Sequence, residues 1–288
     1  MTARVGDPVA DLVGLLDLEN LDTDLFRGTQ PPSGRDRVYG GQVAAQALIA
    51  SQRTVDPDFT VHSLHSYFLL PGDYAVPTIF DVERIRDGRS FATRRVMARQ
   101  HGRPIYYQTV NFQRAEDGFE HQDAMPDVPA PGAGMDLVDL MRLAGSPDAD
   151  LLATDWGAIE AGWIGNSQHG LEPDPSRPSL ARMWLRLKSG LPDDPRLHEA
   201  AFTFLSDVSL LGASLAAHRV SPSKVMMASL DHTIWFHRPF RADEWWLYDQ
   251  WSPSAHGGRG LSIGRVFTQA GLLVATVAQE GLIRPRRD

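Results

Sequence analysis

A fold-sized stretch of this chain occurs twice, and that doubling limits its architecture more than any other feature. Residues near 39–113 run as an apolar helix followed by four strand-like stretches, and residues near 195–284 run the same way. The copies share landmarks: Phe68 stands three residues before Pro71, and Phe236 three before Pro239. Gly88-Arg89-Ser90-Phe91 answers Gly258-Arg259-Gly260-Leu261, and the turn at Gln100-His101-Gly102 answers Gln269-Ala270-Gly271. Most other identities are lost, so a polar residue found in one copy only is a candidate for chemistry.

Gly40–Gln52 is small or apolar at nearly every position, which predicts a helix buried on all sides. Thr60–Leu70, Val76–Ile85, Ser90–Gln100 and Ile105–Arg114 read as strands punctuated by glycine turns. In the second copy, Ser179–Leu187 reads as a strand and Arg196–Ala217 as a long helix. Met226–His237, Glu244–Trp251, Gly260–Thr268 and Leu272–Ile283 are the remaining strands. A buried helix followed by an antiparallel meander is an α+β pattern, and strands alternating with helices, as a dinucleotide-binding fold requires, are absent. Two such sheets side by side would cover each other's edges in one continuous sheet. The divisions expected are 1–115, a linker at 116–155 rich in proline with one short helix at Met135–Leu143, and 156–288.

Composition narrows the function. The net charge of −8 argues against nucleic acid, whose phosphates need clustered Lys and Arg. With no cysteine there is no disulfide scaffold, thiolate metal site or thiol nucleophile. No run reaches the roughly 18 apolar residues of a membrane span. The start of the chain lacks a signal-peptide pattern and its end lacks a peroxisomal SKL-type sequence, so the expected setting is cytoplasmic, with no stable membrane insertion. A G-x-S-x-G elbow, an H-E-x-x-H zinc helix and a P-loop are all missing, and neither a metal nor another cofactor is called for.

Three polar residues of the second copy stand out. Asp207 falls in the middle of the apolar run HEAAFTFLSDVSLLGASLAAH, where burial would require a partner or would raise its pKa toward that of a useful base. Ser229 precedes Leu230-Asp231-His232 at the start of a strand, and Gln279 lies among apolar neighbours in VAQEG. Their first-copy counterparts are read as about Gln46, Val61 and Asn111. Asp231, two residues beyond Ser229, shares its face and is the rival carboxylate; His232 and His237, five apart, face opposite ways in an unbulged strand. Arg238, Arg259 and Arg265 are candidates for anionic groups, and Tyr39, Tyr67, Phe68, Trp235 and Phe236 for an apolar tunnel, with surface placement and core packing the competing explanations.

The phrases LFRGTQPP, VYGGQVAAQAL, VHSLHSYFLLPGD, RDGRSFATRRV, GFEHQ, LDHTIWFHRPF, GRGL and AQEGLIR, in that order, resemble the type II acyl-CoA thioesterases (TesB-like), a double-hotdog family. The resemblance implies that an Asp, a Ser or Thr and a Gln jointly activate water, and it puts those roles on Asp207, Ser229 and Gln279. It implies acyl-CoA as substrate and a homodimer or higher homo-oligomer. Gly40 and Gly41 would let such a substrate approach the first helix closely, with tight helix packing the competing explanation, and Tyr67 and Arg259 are read as further contacts. Hydration of enoyl-CoA by the same fold, and acyl-CoA binding without catalysis, are the alternatives. A double-bond absorbance assay with crotonyl-CoA separates the first, and binding without thiol release the second.

Overall fold

The computed structural model describes residues 6–31, 37–143, 145, 149–220 and 224–286. Residues 1–5, Pro147 and the last two residues, on which parts of the sequence reading fell, lie outside them. In chain order the elements are α1 (Pro8–Leu16), β1 (Glu19–Asp22), β2 (Leu25–Gly28), α2 (Gly40–Gln52), β3 (Phe59–Phe68), β4 (Thr78–Asp87), β5 (Phe91–Gln100) and β6 (Arg103–Arg114). A connecting region follows with β7 (Met135–Asp136), α3 (Leu137–Leu143) and α4 (Ala149–Asp155). Then come β8 (Ile159–Asn166), β9 (Leu180–Leu187), α5 (Pro195–Ser206), β10 (Val225–Ser229), β11 (Asp231–Phe236), β12 (Trp246–His256), β13 (Arg259–Thr268) and β14 (Leu273–Pro285).

Among the described residues, fourteen strands form one sheet in the order β1-β2-β4-β5-β6-β3-β11-β14-β13-β12-β9-β8-β7, with β10 pairing β14. The order reads alike outward from the β3–β11 seam. At that seam His65 pairs with Thr233, and each occupies the other's place in its own copy, so a local twofold passes between them. The turns foreseen from sequence form where glycine takes the left-handed region, at Gly102 (φ 71°) and Gly271 (φ 84°). This is the α+β double hotdog that the resemblance implies.

The helices α2 and α5 pack on each other beneath the sheet. All of α2 after Gly40 is buried, as the run of small residues requires. Helix α5 starts with Asp194, whose side chain accepts from Arg196 N at 3.0 Å, followed by Pro195 in the first turn. The pair is antiparallel: the start of α2 meets the end of α5, and Gln52 at the other end of α2 reaches Glu199 at 2.7 Å.

Three expectations change. The helix expected over Arg196–Ala217 stops at Ser206; Asp207 is its C-cap (φ −87°, ψ −3°), and a separate 3₁₀ turn covers Leu210–Leu215. The strand expected over Met226–His237 is interrupted at Leu230, whose N–H reaches Glu280 O while the register slips by one residue. The connecting region holds a second helix, α4, and the second half opens with β8, which the sequence reading did not foresee.

Candidate active site

The break in α5 makes the site. Beyond Ser206 the chain turns, and Asp207 leaves the helix axis at the first residues of α2. A Cβ on Gly40 would stand 2.7 Å from Asp207 Oδ2 and 2.9 Å from the Phe68 ring. A Cβ on Gly41 would stand 2.4 Å from the Phe204 carbonyl. Only glycine lets the start of one half's helix come this close to the end of the other's. Gln42 N and Val43 N donate to the Tyr39 carbonyl, and the N–H groups of Gly40 and Gly41, which no earlier helical carbonyl can satisfy, lie at this junction.

Gln279, fully buried on β14, ties the cluster together. Its Nε2 donates to Asp207 Oδ1 at 2.5 Å and to Ser229 Oγ at 2.9 Å, and Ser229 Oγ donates to the same Asp207 oxygen at 3.4 Å. A carboxylate only accepts, so the amide must present its nitrogen here. That orientation leaves Gln279 Oε1 as a buried acceptor without a partner among the described residues. The three polar groups that the sequence singled out therefore converge. Two buried phenols flank them, Tyr106 from the first half and Tyr248 from the second. Burial holds both far above the usual tyrosine range, and the negative charge of Asp207 pushes the same way. Both stay protonated, and sequence reasoning missed both. Tyr248 was detectable, since it stands where the first copy has Phe80.

The other candidates sort differently. The interruption at Leu230 turns Asp231 away from Ser229, correcting the shared face expected from their two-residue spacing; its Oδ1 accepts from Glu280 N at 2.7 Å, and burial raises its carboxyl above the ordinary value. His232 is buried while His237 is exposed and meets Thr276 Oγ1 at 2.8 Å, so the two do face opposite ways. Arg265 is engaged with the buried Asp249 at 2.6 Å, and Arg238 with the Leu273 carbonyl at 2.9 Å. Tyr67, 51% exposed, stacks on Tyr107, and Arg259 pairs with Glu280 at 3.1 Å; the structure does not bring either into the Asp207 cluster. Tyr39 closes over the junction with its hydroxyl donating to Phe204 O at 2.9 Å, and a cavity of about 260 Å³ borders it, lined also by Leu12, Tyr74 and Trp156.

The counterparts also need correction. The paired registers set Gln279 opposite Val110 rather than Asn111, because Ser262–Gln279 in one copy answers Arg94–Val110 in the other. Gln46, read as the counterpart of Asp207, holds the Leu15 and Thr29 carbonyls instead. Counted from the helix starts, Gln52 is the residue that answers Asp207.

Residues 28–113 match the acyl-CoA thioesterase N-terminal domain family, and residues 176–282 match the acyl-CoA thioesterase family. The chain is 40% identical to acyl-coenzyme A thioesterase 8 of Homo sapiens, across 97% of this chain and 92% of that protein. It is 36% identical to acyl-CoA thioesterase 2 of Haemophilus influenzae, across 97% and 99% of the two chains. Among solved structures it resembles the acyl-CoA thioesterase II TesB2 of Mycobacterium marinum, with 44% identity, a TM-score of 0.82, and coverage of 96% and 98%.

Proposed function

The chain belongs to the acyl-CoA thioesterase family and hydrolyses acyl-CoA thioesters, and from that premise we propose that Asp207, Ser229 and Gln279 carry the reaction, met by the start of α2 from the other half. Asp207 takes a proton from water as that water adds to the thioester carbonyl. Ser229 and Gln279 hold the water and the carboxylate in line. The oxyanion develops against the first N–H groups of α2, where the positive end of the helix dipole also lies. Collapse of the tetrahedral adduct breaks the C–S bond, and Asp207 returns the proton to the departing thiolate, leaving a free acid and CoA. A thioester is reactive enough that no covalent nucleophile is needed.

What supports this reading is one contact set: Gln279 Nε2 spans Asp207 Oδ1 and Ser229 Oγ, beside a glycine with no room for a side chain. Its test is Asp207→Asn, purified and folded, assayed for thiol release; near-wild-type turnover would refute the assignment. Gly40 and Gly41 are proposed substrate contacts. Tyr67 and Arg259, both exposed, are proposed to meet the portion of CoA that stays outside the cluster. The two halves are proposed to divide at 1–115 and 156–288, joined by 116–155. Self-association is part of the same proposal, through the outer face of the seam where Tyr67 and Trp235 are exposed; sedimentation as a single chain would remove it. None of the described helices is long and apolar enough to cross a membrane. A cytoplasmic setting is likewise proposed, with cell fractionation as its check.

A further inference from the structure

Helix α5 ends at Ser206, and three hydrogen bonds hold that residue. Ser206 Oγ donates to the Thr203 carbonyl at 2.9 Å and stands 2.8 Å from His232 Nε2. With the hydroxyl hydrogen committed to Thr203, the imidazole must donate from Nε2. Burial pushes this histidine down to about 3, so the ring is neutral at ordinary pH. Tyr248 donates its hydroxyl to the Ser206 carbonyl at 3.0 Å. Ser66, from the first half, donates to the His232 carbonyl at 2.6 Å and so anchors the strand that carries the imidazole. The residue after Ser206 is Asp207.

The first half shows what the fold alone needs at these places. Leu64 answers His232 and Phe80 answers Tyr248, and both are fully buried. A core that is built there from leucine and phenylalanine has no structural need for an imidazole and a phenol. The polar versions also cost stability: His232 Nδ1 is buried with no partner among the described residues. Helix ends fray when nothing holds them.

We propose that His232 and Tyr248 are positioning residues: they fix the last turn of α5 through Ser206, so that the following carboxylate meets Gln279 Nε2 and Ser229 Oγ in reactive alignment. The proposal rests on the reading of Asp207 as the base. A displacement of about 1 Å at a reacting group costs about a hundredfold in rate, which sets the size of effect expected.

The test installs the first half's own residues. His232→Leu should keep or raise the thermal midpoint, and Tyr248→Phe, which takes one donor from the Ser206 carbonyl, should lower it by no more than a few degrees. Each should lower kcat by about tenfold to a hundredfold while KM stays within about twofold. His232→Gln, whose amide can donate from the place of Nε2, should regain most of the lost kcat. In a double-mutant cycle, His232→Leu added to Ser206→Ala should cost less than about another twofold, because the link is already gone. Wild-type kcat in both folded variants overturns the proposal, and so does a loss that only tracks the folded fraction. Asp207→Asn is run beside them. If it stays active, the reading beneath the proposal fails; if it is dead while His232→Leu and Tyr248→Phe are fully active, only the positioning role fails.

Discussion

The two ends of the α2–α5 pair are built from matching positions and filled in opposite ways. At one end the start of α2 meets Asp207, Ser229, Gln279, Ser262, His232 and Tyr248 from the second half, with Tyr106 from the first. At the other end the corresponding strand positions hold Val61, Val110, Arg94, Leu64, Phe80 and Ala275. Arg94, 1% exposed, fills its space by donating to the Thr54 hydroxyl and carbonyl and to Asp87. One backbone plan thus tolerates either a cluster of polar strand side chains or a set that is apolar except for one arginine. The polar end is the costlier, since Gln279 Oε1, Ser262 Oγ and His232 Nδ1 are buried there with no partner among the described residues, against Gln52 Oε1 at the other end. Fold alone does not select them, which is why the difference between ends locates chemistry better than either end does alone.

That contrast can be broken experimentally. The largest effect belongs to Asp207→Asn, with thiol release down about a thousandfold or more and an unaltered melting profile. Gly40→Ala comes next. Its methyl collides with Asp207 Oδ2, and a loss of about a hundredfold in kcat is expected, while Pro195→Ala at the matching helix start leaves turnover unchanged. Gln279→Ala should cost about as much as Gly40→Ala and Ser229→Ala about tenfold. Val110→Ala, by contrast, should lower stability by about 2 kcal/mol in denaturant titration and leave kcat alone. If Val110→Ala reduced kcat as Gln279→Ala does, the two ends would not differ in the way described.

A subtler contrast is visible in pH dependence. Burial, opposed by the Gln52 hydrogen bond and Arg196, pushes the Glu199 carboxyl up to about 8 from an unfolded value of 4.5. The folded state therefore keeps a proton that the unfolded chain has released. The stability this contributes is full below about 4.5 and is lost as pH rises through about 8. Glu199→Gln should flatten the decline in melting temperature across that window and leave turnover intact; an unchanged slope would remove Glu199 as its source. The smallest effect expected is at Arg259→Ala, a rise of a few-fold in KM for acyl-CoA with kcat unchanged, and an unaltered KM removes that contact.

Much of this was legible in the chain. The doubled helix-plus-meander pattern led to the double hotdog, and the solitary polar residues of the second copy led to Asp207, Ser229 and Gln279. What failed did so for local reasons. Alanine and leucine continue past Asp207, so propensity alone extends the helix; Tyr248 and His232, which bond to Ser206 where it ends, come from distant strands. The one-residue slip at Leu230 reverses the side chains of β11 relative to Ser229, and no turn residue marks it, so the two-residue spacing puts Asp231 on the wrong face. Asn111 rather than Val110 answers Gln279 in the bare sequence because the second copy's last hairpin is one residue longer than the first's.

The antiparallel helix pair also sets how little axial displacement the cluster tolerates. Each residue of a helix advances about 1.5 Å, so a slip of α2 along α5 by a single step would carry Gly40 away from the carboxylate by more than a hydrogen bond tolerates. The brake on such travel sits a whole helix length away, where Arg196 grips the Gln52 and Asp56 carbonyls. Damage at that remote clasp is expected to surface as lost turnover long before the protein unfolds.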